Sequence, residues 1–213
     1  MPAAAVKGVL FDMDGVLVFS EDAWFAVYNA TLEEFGHAAI PREAFDAIYG
    51  NGTQADRALY MPERSVAEID AAYARHFEER LDRIRPNGDA PDVLKELRRR
   101  GISTSVATNT NRPLADRILG EHGLLPLLDA VACADEAGAG KPDPAVVRLA
   151  ARRVDTPLED CLFVGDSKYD EEAARRAPVR FAGLNHGDGE RLERLPGLLA
   201  LLSPARTPDA RRA

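Results

Sequence analysis

The sequence predicts an α/β protein: a doubly wound parallel sheet interrupted after its first strand by a helical insertion. Three observations predict it. From residue 86 onward, apolar runs of strand length alternate with amphipathic stretches of roughly ten residues, the pattern of βαβ units. Residues 19–86 instead place apolar side chains at three- and four-residue intervals and hold no clear strand. Polar residues then stand directly after several of the apolar runs, where an open parallel sheet keeps its ligand.

Taken in order, Gly8-Val9-Leu10-Phe11 is a buried strand that ends abruptly at Asp12, with Gly15 supplying a tight loop. Phe25, Tyr28, Leu32 and Phe35 share one helix face, and Gly36 ends that helix. Phe45, Ile48 and Tyr49 predict a second helix, Gly50-Asn51-Gly52 a break, and Ile69, Tyr73, Phe77 and Leu81 a further helix. Pro91 suits the first turn of a helix running to Arg100, stopped by Gly101. A strand over 102–107 leads into Thr108-Asn109, and a helix over 113–122 closes at Gly123. Strands over 130–134, 161–164 and 179–184 then alternate with helices over 144–153 and 170–177. The chain divides into a core from residues 1–18 and 87–202, a helical segment over 19–86, and a loose tail over 203–213 rich in Pro, Arg and Ala.

Composition narrows the function. With 46% hydrophobic and 29% charged residues, the chain can bury a substantial core. A net charge of −8 argues against nucleic acid, whose phosphates are bound through clustered Lys and Arg. No run approaches the ~20 apolar residues of a membrane span, and Asp12 and Asp14 interrupt the first apolar stretch as a signal peptide. Cys133 and Cys161 lack metal-ligand spacing and read as reduced thiols of a cytoplasmic protein. The only lysines are Lys7, Lys95, Lys141 and Lys168.

Asp12 and Asp14 follow the first strand, Thr108 and Asn109 the second, Asp166 and Asp170 the 161–164 strand, and Lys141 lies in the loop after the 130–134 strand. Singly, each has an ordinary explanation as a helix cap, a turn residue or a solvated lysine. Together they gather four carboxylates at one sheet edge, and mutual repulsion calls for a cation between them. Hard oxygen ligands with room for water favour Mg²⁺. Pro142 disfavours helix at Lys141, while Asp143-Pro144 reads as an N-cap and first-turn pair, so the lysine stands just ahead of a helix start that favours an anion. A cation, an ammonium and a hydroxyl around one point suggest a phosphate site.

Asp12-Met13-Asp14-Gly15-Val16-Leu17, Thr108-Asn109, Gly140-Lys141-Pro142 and Gly165-Asp166-Ser167-Lys168-Tyr169-Asp170 resemble, in order, the four motifs of the haloacid-dehalogenase-like (HAD) phosphohydrolases. The resemblance spans residues 6–184, and the insertion matches the helical cap that one branch of the family places after its first motif on a Rossmann-like core. It implies Asp12 as nucleophile and Asp14 as the acid that protonates the leaving alkoxide, then the base that activates water. It implies that Thr108, Asn109 and Lys141 hold the phosphoryl oxygens. Mg²⁺ would be bound by Asp12, the main-chain carbonyl of Asp14 and Asp166, with Asp170 placing the metal or its waters. The expected partner is a small phosphorylated metabolite, phosphoglycolate-type or a sugar phosphate, handled by a cytoplasmic monomer or homodimer.

Other chemistries of that family fit less well. Dehalogenation needs neither a proton donor like Asp14 nor metal ligands like Asp166 and Asp170. Phosphonate cleavage by a cap lysine is closed, because residues 19–85 hold no lysine. A sugar phosphomutase of the beta-phosphoglucomutase type typically has an arginine just after a cap glycine and a lysine further on; here Gly50 is followed by Asn51-Gly52-Thr53-Gln54, with Arg57 the next arginine. It stays as the alternative, together with a non-catalytic relative that only binds a phosphorylated ligand. The Gly50–Thr53 turn is expected to reach over the site, with Gly50 and Thr53 as substrate contacts. Phe19-Ser20 marks the hinge into the cap, where phosphoglycolate phosphatase relatives commonly show Asp-Ser.

Overall fold

The computed structural model describes residues 6–202, and the expected loose tail over 203–213 lies outside the described residues. Strand β1 (Gly8–Phe11) is followed by a two-residue strand β2 (Val18–Phe19). Four helices come next: α1 (Glu21–Glu34), α2 (Arg42–Asp46), α3 (Thr53–Tyr60) and α4 (Val66–Glu78). Strand β3 (Arg85–Pro86) pairs antiparallel with β2, so the helical segment leaves and returns through one short ribbon. Then follow α5 (Ala90–Arg99), β4 (Ser103–Thr108), α6 (Arg112–Glu121), β5 (Ala130–Cys133), α7 (Ala134–Ala137) and α8 (Ala145–Arg153). The chain continues through β6 (Cys161–Gly165), α9 (Lys168–Arg176), β7 (Arg180–Leu184), β8 (Glu190–Leu192) and α10 (Leu198–Leu201).

The main sheet has six parallel strands in the order β5-β4-β1-β6-β7-β8. The chain winds outward from β1 through β4 to β5, then returns to the other side of β1 with β6. Strand β1 is therefore the topological switch, and the crevice for a ligand opens at its carboxyl end. Successive side chains alternate faces: Val9 and Phe11 join the apolar cluster holding Val106, Leu162 and Val164, while Leu10 joins Ala107, Ala132 and Phe163 on the other face. The first cluster extends over Val93, Leu94 and Leu97 of α5 and Leu114, Ile118 and Leu119 of α6. The second face is covered through small residues, Ala150 and Ala151 of α8 and Ala173 and Ala174 of α9, which let those helices lie close. Each fully buried Leu or Phe contributes about 1.5–3 kcal/mol through burial.

The helical segment continues the first cluster rather than standing apart from it: Val27, Tyr28 and Leu32 of α1 and Ile69, Tyr73 and Phe77 of α4 are all buried in it. Trp24 packs edge-on against Phe77 and Tyr73, with ring centroids 4.6 and 5.5 Å apart. Serine 65 begins α4 with a capping box, accepting from the Glu68 N–H while Glu68 accepts from its own.

The strands over 130–134 and 161–164 differ from the observed ones by a residue at one end, and the 102–107 strand is shifted by one residue. Three features depart further. The segment over 19–86, read as free of strand, is flanked by the β2–β3 ribbon, whose two-residue ladders are too short to carry an alternating pattern. Helix α3 fills part of the stretch read as a break followed directly by the next helix. Its buried residue is a carboxylate, Asp56, so no apolar periodicity announces it. Strand β8 extends the sheet past the 179–184 strand, where three residues give no usable period. Among the described residues, no helix is long and apolar enough to cross a membrane.

Candidate active site

Asp12 leaves the end of β1 and Lys141 enters from the loop between α7 and α8, and the two meet below the helical segment. Lys141 Nζ lies 2.6 Å from Asp12 Oδ1 and 2.7 Å from Asp170 Oδ1, and the lysine is only 3% exposed. Burial works against the charge of Lys141, yet Asp12 and Asp170 on either side outweigh it and hold the ammonium protonated. Asp143 Oδ1 accepts from the N–H of Ala145, satisfying a free donor at the start of α8 just after the lysine.

Asp12 Oδ1 also accepts from the N–H of Met13 at 2.7 Å. Among the described residues nothing donates to Asp12 Oδ2. Burial, then the charge of Asp170, pushes the Asp12 carboxyl well above the carboxylate range despite Lys141. Asp166, after β6, is raised to about 7, again chiefly by burial and then by Asp170.

Oxygen atoms of Asp12, Asp166 and Asp170 lie within 4.8 Å of one another. Four carboxylates, counting Asp14, stand against a single ammonium, so the site holds an excess of buried negative charge. All its donors are hard oxygens, which fits a divalent cation of the Mg²⁺ type. Gly15 shapes this cradle: its φ is +80°, and a Cβ there would fall 1.8 Å from Asp166 Oδ2. Both oxygens of Asp170 are already engaged, Oδ1 by Lys141 and Oδ2 by the N–H and hydroxyl of Ser167. Besides its place in the carboxylate group, Asp170 thus anchors the lysine and the start of α9.

Asp14 is surrounded by donors. Its Oδ1 accepts from the Ser20 hydroxyl and from Trp24 Nε1 at 3.0 Å, and its Oδ2 accepts from Thr110 Oγ1 at 3.0 Å. Ser20, fully buried at the hinge, also touches the Tyr49 hydroxyl at 3.1 Å. The Asp14 carboxylate is thus oriented jointly by Ser20, by α1 and by the loop after β4.

Thr108 is buried beside the cavity and its oxygen accepts from the Thr110 N–H, which leaves its O–H to donate. Two expected substrate contacts have side-chain partners within the protein. The Asn109 side chain is committed between two loops: Nδ2 donates to Gly50 O at 2.8 Å and Lys141 O at 2.9 Å, and Oδ1 accepts from Lys141 N at 2.6 Å. It clasps the helical segment to the lysine loop, a position that suits its paired donor and acceptor better than an anion does. Thr53 Oγ1 donates to Asp70 Oδ1 at 2.7 Å, so its proton is directed into the helical segment. Gly50 does line the cavity, through backbone whose carbonyl Asn109 holds.

Sequence reasoning missed the polar contacts of Thr110, Tyr49, Asp56 and Trp24. Only the indole N–H, an isolated polar group on an aromatic face, hinted at a second role for Trp24. Lys168 and Tyr169 reach Ala47 O at 3.4 Å and so brace the helical segment from the α9 side. His186 meets Glu171 away from the cavity.

A haloacid dehalogenase-like hydrolase family model matches residues 6–178. A phosphoglycolate phosphatase from Cereibacter sphaeroides is 32% identical, the match covering 85% of this chain and 86% of the relative. A hydrolase from Pseudomonas syringae shares the fold with a TM-score of 0.80 at 21% identity, over 92% of this chain and 99% of that one. CbbY from Rhodobacter sphaeroides, solved in complex with phosphate, superposes with a TM-score of 0.76 at 24% identity, over 89% and 94% of the two chains. With its sheet order, its insertion after β1 and this match over most of its length, the chain belongs to the haloacid dehalogenase-like hydrolases.

Proposed function

We propose that the protein is a Mg²⁺-dependent phosphatase that hydrolyses a small phosphorylated metabolite through an aspartyl-phosphate intermediate. The observation that carries it is Lys141 held at 2.6 Å from Asp12, with Asp14 and Asp166 around the same carboxyl edge of β1. Asp12 Oδ2, which no described residue occupies, attacks phosphorus in line, and the bond to the leaving alkoxide breaks. Asp14, aimed by Ser20, Trp24 and Thr110, delivers a proton to that oxygen and later takes one from the water that hydrolyses the acyl phosphate. Lys141 and the Thr108 hydroxyl hold the phosphoryl oxygens as charge shifts onto them. Asp170 positions the lysine, and Asn109 ties the cap loop to it. Asp12, Asp166 and the main-chain carbonyl of Asp14 would hold Mg²⁺, which when bound neutralises charge so that a carboxylate can approach an anionic ester.

Hydrolysis is favoured over mutase chemistry because, among the described residues, Lys141 is the one basic side chain lining this cavity, and Arg57 in the adjoining cavity has its guanidinium held by the carbonyls of Arg64 and Pro62. The relatives' name supports an ester of phosphoglycolate size. Residues 19–86 act in this reading as a cap over the core. The free, buried thiols Cys133 and Cys161 support a reducing compartment such as the cytoplasm. The test is release of inorganic phosphate from a panel of small phosphate monoesters. Turnover is expected to stop with EDTA, return with Mg²⁺, and disappear in Asp12→Asn; metal-independent turnover or an active Asp12→Asn would refute the assignment.

A further inference from the structure

The cavity that starts at Asp12 and Lys141 continues between α1, α2, α3 and α4. Trp24 and Tyr49 line it beside Asp14 and Ser20, and Tyr28, Phe45 and Tyr73 continue the aromatic wall to Asp56. These rings form one connected set, with centroids 5.5 Å apart for Trp24–Tyr73, 6.2 Å for Tyr28–Tyr73, 5.8 Å for Tyr28–Phe45 and 5.4 Å for Phe45–Tyr49. Two polar groups in this apolar end lack full partners. Asp56 is 8% exposed and accepts one hydrogen bond, from the Tyr73 hydroxyl to Oδ2 at 3.0 Å. The Tyr28 hydroxyl is buried with no hydrogen-bond partner. A buried polar group without a partner is costly, so both call for something the cavity receives.

The chemistry of that something is constrained by charge and size. A carboxylate on the leaving group would face Asp56 and Asp14, and among the described residues the one basic side chain lining this cavity is Lys141 at the phosphate end. A cation meets the reverse: a carboxylate, a hydroxyl oxygen able to accept, and the negative faces of several rings, the arrangement that binds ammonium ions. Burial holds the Asp56 carboxyl up at about 7, and an ammonium beside it would favour the ionised form. The cavity beside Asp56 has a volume of about 70 Å³, small beside the roughly 300–1,000 Å³ of pockets for drug-sized ligands, and shares Asn51, Gly52, Thr53 and Lys141 with a wider cavity of about 740 Å³; the arm that reaches Asp56 is therefore short, of two or three carbons.

We infer that the site selects phosphate monoesters of short amino alcohols, with the ammonium seated between Asp56, the Tyr28 hydroxyl and the aromatic wall. The inference rests on the phosphatase reading and deepens it: the ester has the size of phosphoglycolate and the opposite charge. Water and ester give amino alcohol and inorganic phosphate, the alkoxide oxygen taking its proton from Asp14.

The test compares kcat/KM for 2-aminoethyl phosphate, n-propyl phosphate and 2-phosphoglycolate with the full chain and Mg²⁺. Propyl phosphate matches the amine in shape and lacks its charge. The amine is expected to exceed the propyl ester by on the order of tenfold or more, with phosphoglycolate below both. Asp56→Asn and, separately, the milder Tyr28→Phe should each lower the amine-to-propyl ratio. Equal rates for the two esters, a preference for phosphoglycolate, or a ratio untouched by both variants would overturn the amine assignment while leaving the phosphatase intact. Turnover of none of the three esters would remove the phosphatase reading and this one with it.

Discussion

Replacing Asp56 by asparagine is expected to change stability in a way that depends on pH. Asp56 lies on α3 with its carboxyl turned into the aromatic end of the cavity, 8% exposed, and Tyr73 is its one hydrogen-bond donor. Burial raises its pKa from 3.8 to about 7; the Tyr73 bond works the other way, and the charge of Asp70 adds a smaller push upward. The folded protein thus binds this proton more tightly than the unfolded chain does. The associated stabilisation is complete below the unfolded pKa near 4 and is lost as pH climbs through about 7. A displacement of about three pKa units corresponds to about 4 kcal/mol in full, of which about 2.5 kcal/mol falls between pH 5 and pH 8. Asparagine cannot ionise, so its own cost is independent of pH, and Tyr73 can still donate to the amide oxygen. The stability of Asp56→Asn relative to wild type should therefore rise by about 2.5 kcal/mol between pH 5 and pH 8, or roughly 5–10 °C in Tm. Urea unfolding of both proteins at several pH values, without substrate, measures it. Parallel curves, with a difference constant across that range, would show that Asp56 is solvated or already ionised in the folded state and would refute the reasoning.

Two further predictions address the catalytic edge. Lys141→Ala leaves Asp12 and Asp170 as facing buried carboxylates, so a loss of about 3–5 kcal/mol in urea unfolding is expected together with loss of phosphate release; unchanged stability would mean the pair is not buried as described. Trp24→Phe keeps the aromatic packing on Phe77 and removes the N–H that reaches Asp14, so kcat should fall several-fold or more with a stability change of about 1 kcal/mol. An unaltered kcat and pH–rate profile would show that Ser20 and Thr110 orient the acid alone.

Much of the fold was legible because burial leaves local marks. Val9, Phe11 and their partners in β4 and β6 read as strands because both faces of a central parallel strand are buried, and Gly36, Gly101 and Gly123 stop helices where a left-handed residue is needed. Helix α3 was not legible, because its inward position carries Asp56 and the pattern depends on apolar residues. The site divides in the same way. Asp12, Asp14, Thr108, Asp166 and Lys141 stand at strand ends or in the loops beyond them and were placed by counting along the chain. The link of the Asn109 side chain to the helical segment was not legible, since nothing local says that a side-chain amide will find the Gly50 carbonyl across 59 residues.

By itself the sequence determined the doubly wound core, the point at which the helices enter it, and the set of carboxylates, hydroxyl and lysine that meet beyond β1. These follow from backbone direction: in a parallel sheet every strand delivers its carboxyl end to the same edge, so order along the chain becomes proximity. Only the tertiary structure decided which groups face one another across the cavity. Thr110 reaches Asp14 over 96 residues, and Asp56 is enclosed by rings from α1, α2 and α4. Periodicity reports that a residue is buried and on which face. The polar partner it meets there is set by how helices from separate parts of the chain pack, and that packing gives this cavity its negative, aromatic end.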